Sequence, residues 1–185
     1  MPTASYLKYL YLAYLSSPAK NRILYRTIRK RHVRKILEVG FSETTRTLRM
    51  INLAHQGALG EPIRYTAIDL FEARGSAKAP GLSLKEAHRL LKGTQAQIQL
   101  IPGDPASALA RNANALSNID LLLISADHDD QSLAGAWFYL PRMLHASSTV
   151  YVEKSESQGG EASWTLLERD EIDARAVPPR RRSAA

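Results

Sequence analysis

The chain has 185 residues, a net charge of +7 and an isoelectric point near 9.8, with 44% hydrophobic and 23% charged residues. That size and balance suit one folded domain with a substantial core. The absence of cysteine excludes disulfides, thiolate metal sites and a cysteine nucleophile, and sets the expectation of a cytoplasmic protein.

Leu7, Leu10, Tyr11, Tyr14 and Leu15 recur at helical spacing, which predicts an amphipathic helix over 3–16. Lys8 interrupts the apolar run and nothing basic precedes it, which argues against a signal peptide. No stretch reaches the roughly 18–20 apolar residues of a membrane span. Tyr6, Tyr9, Tyr11 and Tyr14 cannot all face one core, so this helix is a candidate contact surface in a homodimer. A second helix is predicted over 19–31, with Ile23, Leu24, Thr27 and Ile28 inward and the arginines outward. The basic segment 20–35 holds Lys20, Arg22, Arg26, Arg29, Lys30, Arg31, Arg34 and Lys35. Such a cluster can attract nucleic acid, although a solvated helix face is the plainer reading.

The pattern then changes. Lys35-Ile36-Leu37-Glu38-Val39-Gly40 is a short apolar run that ends in glycine, the mark of a buried strand. A helix over 43–56 follows, with Leu48, Ile51, Asn52 and His55 near one stripe. Arg64 to Phe71 predicts a second strand. Ser83 and Glu86 form a capping box that starts a helix running to Lys92. Ile98 to Pro102 predicts a third strand, and Asp104-Pro105 the start of a helix running to Leu116. Ile119 to Ser125 is the most apolar strand. A helix over 130–144 and a strand from Thr149 to Val152 follow, and Trp164 to Leu167 reads as either a short helix or a sixth strand. The basic end, 178–185, reads as a disordered tail. This alternation predicts a single α/β domain over 1–177. It would be a Rossmann-like, doubly wound, mostly parallel sheet with helices on both faces, with N-terminal helices (1–33) before a βα core (34–154).

Open sheets of this kind bind ligands beyond the carboxyl ends of their strands. Glu38, Asp69, Asp104, Asp127 and His128 fall there. A carboxylate at Asp69 can accept two hydrogen bonds from a ribose diol, or serve as a turn residue. Asp104 can meet an adenine amino group or cap its helix. His128, among Asp127, Asp129 and Asp130, can act as a general base or stand as a surface histidine. The dinucleotide fingerprint G-x-G-x-x-G is missing, since only Gly40 is present, which weakens a dehydrogenase reading. Gly40-Phe41-Ser42-Glu43-Thr44 lacks the last glycine of a nucleophile elbow.

In order and spacing, residues 34–154 resemble the class I S-adenosylmethionine-dependent methyltransferases. The resemblance is to the branch that reads E-I-G-x-x-x-G-G-S-T-L at the first strand and I-D-G-D-H at the fourth. ILEVGFSETTRTLRM matches through Glu38, Gly40, Thr47 and Leu48, and YTAIDLFEA through Asp69. LIPGDPASAL matches through Gly103 and Asp104, and IDLLLISADHDD through Asp127 and His128. The resemblance implies S-adenosylmethionine as cofactor. Its methionine part would meet Glu38, Gly40 and Ser42, its ribose Asp69 with Leu70 and Phe71, and its adenine Asp104. A small-molecule acceptor would lose its proton to His128 or Asp127. Thr44 and Thr45 stand where the family has Gly-Gly and resist positive φ, and Arg46 replaces a small hydroxyl residue. Ser125 replaces an aspartate that ligates metal in metal-dependent relatives, so no metal is expected. Ser147-Ser148 replaces the glycines before strand five, and the hairpin that closes the family's sheet is expected to be reduced or absent. The alternative is a non-catalytic relative that binds another ligand, a protein partner or nucleic acid. Thr44, Thr45 or Arg46 filling the hollow would favour it.

Overall fold

A computed structural model describes residues 4–58, 60–73, 82–128, 133–154 and 162–177. Its sheet has six strands: β1 (Lys35–Val39), β2 (Arg64–Asp69), β3 (Gln97–Pro102), β4 (Ile119–Ile124), β5 (Leu144–Lys154) and β6 (Ser163–Leu167). Their spatial order is β3-β2-β1-β4-β5-β6. The first five run parallel, and β6 pairs antiparallel with β5. Strand order reverses between β1 and β4, which opens the ligand crevice of such sheets at the carboxyl end of β1. The helices are α1 (Ala4–Leu10), α2 (Arg22–Arg31), α3 (Thr44–Gly57), α4 (Leu84–Leu91), α5 (Pro105–Asn112), the single turn α6 (Leu140–Met143) and α7 (Arg169–Ala176). The predicted doubly wound architecture, with helices ahead of β1, is the one observed.

Alternation along the strands divides the core in two. Ile36, Tyr65, Leu121, Leu123 and Tyr151 pack with Leu24, Ile28, Met50 and Ile51 of α2 and α3. Leu37, Val39, Ile68, Leu122, Ile124 and Val150 pack on the other face with Leu109, Leu140 and Ile172 of α5, α6 and α7. Each of these fully buried aliphatic side chains contributes roughly 1.5–3 kcal/mol. Two helix starts form as predicted. Ser83 Oγ accepts the Glu86 N–H (3.3 Å) while the Glu86 carboxylate accepts the Ser83 N–H (3.2 Å). Asp104 Oδ2 accepts the Ser107 N–H (2.9 Å), with Pro105 in the first helical turn.

Several boundaries differ from prediction, for identifiable reasons. The first helix leaves α geometry at Tyr11 and continues as a wider turn to Leu15. β2 stops at Asp69, because Phe71 adopts φ 49°, which cannot continue a strand. α5 ends at Asn112, whose side-chain amide donates to the Ala108 carbonyl. Within 130–144 the described residues form turns over 133–136, a short turn at Trp137–Tyr139 and then α6, and β5 begins at Leu144. The early start is held by Ser148, whose Oγ accepts the His145 N–H (2.7 Å) and donates to the Ile119 carbonyl (2.6 Å) across a register shift. Trp164 to Leu167 resolves as strand β6. On α3 the buried stripe is Arg46, Thr47, Met50, Ile51, Leu53 and Ala54, while Asn52 and His55 are exposed, so the helix is rotated from the predicted face. No described helix is long and apolar enough to cross a membrane. The tail 178–185 and residues Asp129 and Asp130 lie outside the described residues.

Candidate functional site at the carboxyl ends of the strands

The turn after β1 depends on one glycine. Gly40 has φ 88°, and its N–H extends the ladder to the Ile68 carbonyl (2.8 Å). A Cβ there would come within 2.6 Å of Ser125 Cβ and 3.0 Å of His128 Cδ2. Positive φ and the packed Ser125–His128 turn both exclude a side chain. The next amide, Phe41 N–H, donates to Asp69 Oδ2 (3.2 Å), and Leu70 N–H donates to Asp69 Oδ1 (2.7 Å). Asp69 is 2% exposed. Phe41 and Phe71 are both buried beside it, with ring centroids 6.3 Å apart. The ends of β1 and β2 therefore meet directly, and backbone amides engage both oxygens of the carboxylate.

On the α3 face a charged network fills the interior. Glu38 and Arg46 are each 1% exposed, and Arg46 Nη2 is ion-paired with Glu38 Oε1. Glu38 Oε2 accepts the hydroxyls of Thr47 (2.9 Å) and Tyr65 (2.6 Å). The Arg46 guanidinium lies over the Trp164 ring, 5.1 Å from its centroid, and 3.8 Å from Glu43 Oε2. Trp164 Nε1 donates to Asn21 Oδ1 (3.3 Å), and the Asn21 amide donates to both oxygens of Glu43 (3.2 and 3.1 Å). Lys20 pairs with Glu153 (2.6 Å), whose second oxygen accepts the Ala126 N–H (3.4 Å). Burial opposes the charge on Arg46, but Glu38, with Glu153 and Glu43, more than offsets it and holds the guanidinium above its ordinary pKa. Burial, reinforced by Glu38, pushes the Tyr65 phenol well above 10.0.

The remaining candidates occupy the rim. Ser42 is exposed and 3.5 Å from Arg46 Nη2. Asp104 is exposed and committed to its cap, and the Ser107 backbone and hydroxyl hold its carboxyl below 3.8, with a smaller contribution from His128. His128 is half-buried against Gly40, Asp127 is exposed, and Leu70 is half-buried. The structure thus gathers Glu38, Gly40, Ser42, Asp69 and His128 around one turn. Thr44 and Thr45 avoid the expected strain, because both lie in the first turn of α3 and neither takes positive φ. Among the described residues no group of three or more histidine, aspartate or glutamate side chains could hold a metal ion.

Glu153 falls at a strand end where ligand residues were expected, but the sequence reading missed Asn21, Lys20, Tyr65 and Trp164 as site residues, and it missed the pairing of Arg46 with Glu38. One signal was present: Arg46 lies four, seven and eight residues before Met50, Leu53 and Ala54, on the inward stripe of α3. The others come from distant segments that only the fold brings together.

No family model matches the chain, and no curated protein matches it. Solved structures do. The methyltransferase PaMTH1 of Podospora anserina, bound to S-adenosylhomocysteine, superposes with a TM-score of 0.51 at 18% identity, over 82% of this chain and 62% of its own. The O-methyltransferase TomG of Streptomyces achromogenes, involved in tomaymycin synthesis and solved with S-adenosylmethionine, gives 0.51 at 15% identity, over 83% of this chain and 66% of its own. Cofactor-bound Rv0187 from MTB gives 0.52 at 14% identity, over 94% of this chain and 74% of its own. This chain therefore spans slightly under two thirds of the length of the first two. Topology, the turn at Gly40 and these likenesses agree: the chain has the fold of the class I S-adenosylmethionine-dependent methyltransferases.

Proposed function

We propose that this chain is a non-catalytic binding protein built on the methyltransferase fold, one that does not transfer a methyl group. The buried pair between Arg46 and Glu38 carries this reading. S-adenosylmethionine brings an ammonium group and a sulfonium centre, and the resemblance assigns its methionine end to Glu38. Here Glu38 already accepts from Arg46, Thr47 and Tyr65. A second cation about 4 Å from the guanidinium would be repelled by about 4 kcal/mol at an effective dielectric constant near 20. The residues present do not fit the methionine end of the cofactor. On the ribose side, sugar hydroxyls would have to share the Asp69 carboxylate with the Phe41 and Leu70 amides.

A second reading rests on that same ribose side. The meeting of Asp69 with the Gly40–Phe41 turn is the arrangement a nucleoside-binding crevice of this fold would use. It favours an S-adenosylmethionine-dependent methyltransferase acting on a small-molecule acceptor, with Asp127 and His128 at the rim. Calorimetry separates the two. The first reading expects no binding heat from S-adenosylmethionine or S-adenosylhomocysteine up to about millimolar ligand. Micromolar binding of either, weakened by Asp69→Ala, would remove the ground of the first reading and favour the second.

A further inference from the structure

We infer that a groove at the opposite end of the sheet binds the phosphodiester backbone of single-stranded nucleic acid. This does not rest on the reading above, because the groove opens near the amino-terminal half of β5, away from Arg46.

A cavity of about 520 Å³ runs between α2 and the β5–β6 edge. Its cations come from separate elements: Arg26, Lys30 and Arg31 from α2, and Arg169 from the start of α7. Against these four stands one carboxylate, Glu168, which is engaged with the Glu171 N–H in the capping box of α7. Arg169 Nε donates to Asp173 (3.3 Å), whereas among the described residues no salt bridge holds Arg26, Lys30 or Arg31. Arg26 rests on the Tyr14 ring, 5.9 Å from its centroid, and all three are exposed. Burial does not explain them, and no internal acid neutralises them.

The floor mixes polar and apolar side chains. Thr27 Oγ1 and Tyr151 OH are hydrogen-bonded (2.9 Å), tying α2 to β5. Leu166 on β6 is 43% exposed and offers an apolar contact beside the cations. Arg26 and Lys30 are one helical turn apart, roughly 6 Å along the axis, so they can meet successive phosphates of a flexible strand. Arginine forks match phosphate oxygens in geometry as well as charge. A concave site suits a flexible single strand, whose backbone can follow it, better than a flat lipid surface.

The test is fluorescence anisotropy of a labelled oligouridylate of about 12 nucleotides with the full chain over a salt series. Two double variants of equal charge change are compared: Arg26→Gln/Lys30→Gln in the groove, and Lys85→Gln/Arg89→Gln on exposed positions of α4. All four positions are exposed, and unchanged melting temperatures check that both variants fold. The groove variant is expected to bind at least about tenfold more weakly at low salt. Its log–log salt slope should be shallower by about 1.4, at about 0.7 per lost phosphate contact. The α4 variant should match the wild type. Absence of binding, equal weakening by both variants, or a wild-type slope in the groove variant would overturn the proposal. So would tighter binding to a duplex of the same length, or to vesicles containing phosphatidylserine.

Discussion

The two ends of this sheet use the same residue types in opposite ways. At the carboxyl end, Arg46 and Lys20 are matched with Glu38, Glu43 and Glu153, and Arg46, Glu38 and Glu153 are buried. At the amino end, Arg26, Lys30 and Arg31 line an open groove whose one lining carboxylate is Glu168, and among the described residues no salt bridge holds them. A buried charge needs a partner, because solvation is gone and the effective dielectric constant is low. An exposed one keeps its hydration and stays available to an outside anion. At the carboxyl end the charges are committed to internal pairs, whereas the α2 cations at the other end face solvent.

Substitutions can break or sharpen that contrast. The largest effect is expected at Arg46. Arg46→Met should cost about 3–5 kcal/mol in urea unfolding, because Glu38 stays buried with its main counter-charge removed. The double variant Glu38→Gln/Arg46→Met should recover much of that loss, giving a clear coupling energy. Additive losses would mean the pair is not the organising contact. Gly40→Ala comes next, at about 3 kcal/mol, from a side chain forced to positive φ and a 2.6 Å approach to Ser125. A near-neutral effect would show that the turn can open.

Tyr65→Phe should cost about 2 kcal/mol at neutral pH, by removing a hydrogen bond to a charged acceptor. Its pH signature is more specific. Tyr65 is held above 10.0, first by burial and then by Glu38, so the folded state keeps a proton that the unfolded chain releases. That stabilisation is complete below pH 10 and declines as pH rises toward the folded value. The wild type should therefore lose stability above pH 10 more steeply than Tyr65→Phe. Asp104→Ala should cost about 1 kcal/mol through the lost helix cap. Its carboxyl lies below 3.8, chiefly because of the Ser107 backbone, so the difference is present above that pH and fades as acid protonates it. Thermal melts across pH follow both. The smallest effect belongs to the groove: Arg26→Gln and Lys30→Gln should each change stability by less than about 0.5 kcal/mol.

Where the physics is local, the sequence was readable. The Ser83–Glu86 box, the Asp104 cap, Gly40 at the end of β1 and the strand–helix alternation all rest on residues a few positions apart, and all appear as predicted. Where it is not local, reading failed by a definite margin. β5 starts five residues before its expected position, because Ser148 reaches across to Ile119. The face of α3 was misjudged because a buried arginine counts as polar in any apolar pattern.

Composition and periodicity by themselves determined the fold class, the order of elements and the region where the strand ends converge. The tertiary structure decided what occupies that region. Glu38, Tyr65, Glu153, Trp164 and Asn21 lie far apart along the chain and acquire shared chemistry only when β1, β2, β5, β6 and the start of α2 are packed together. A charge that is costly to bury alone becomes tolerable once its partners are assembled around it, and that assembly is a property of the fold rather than of any segment.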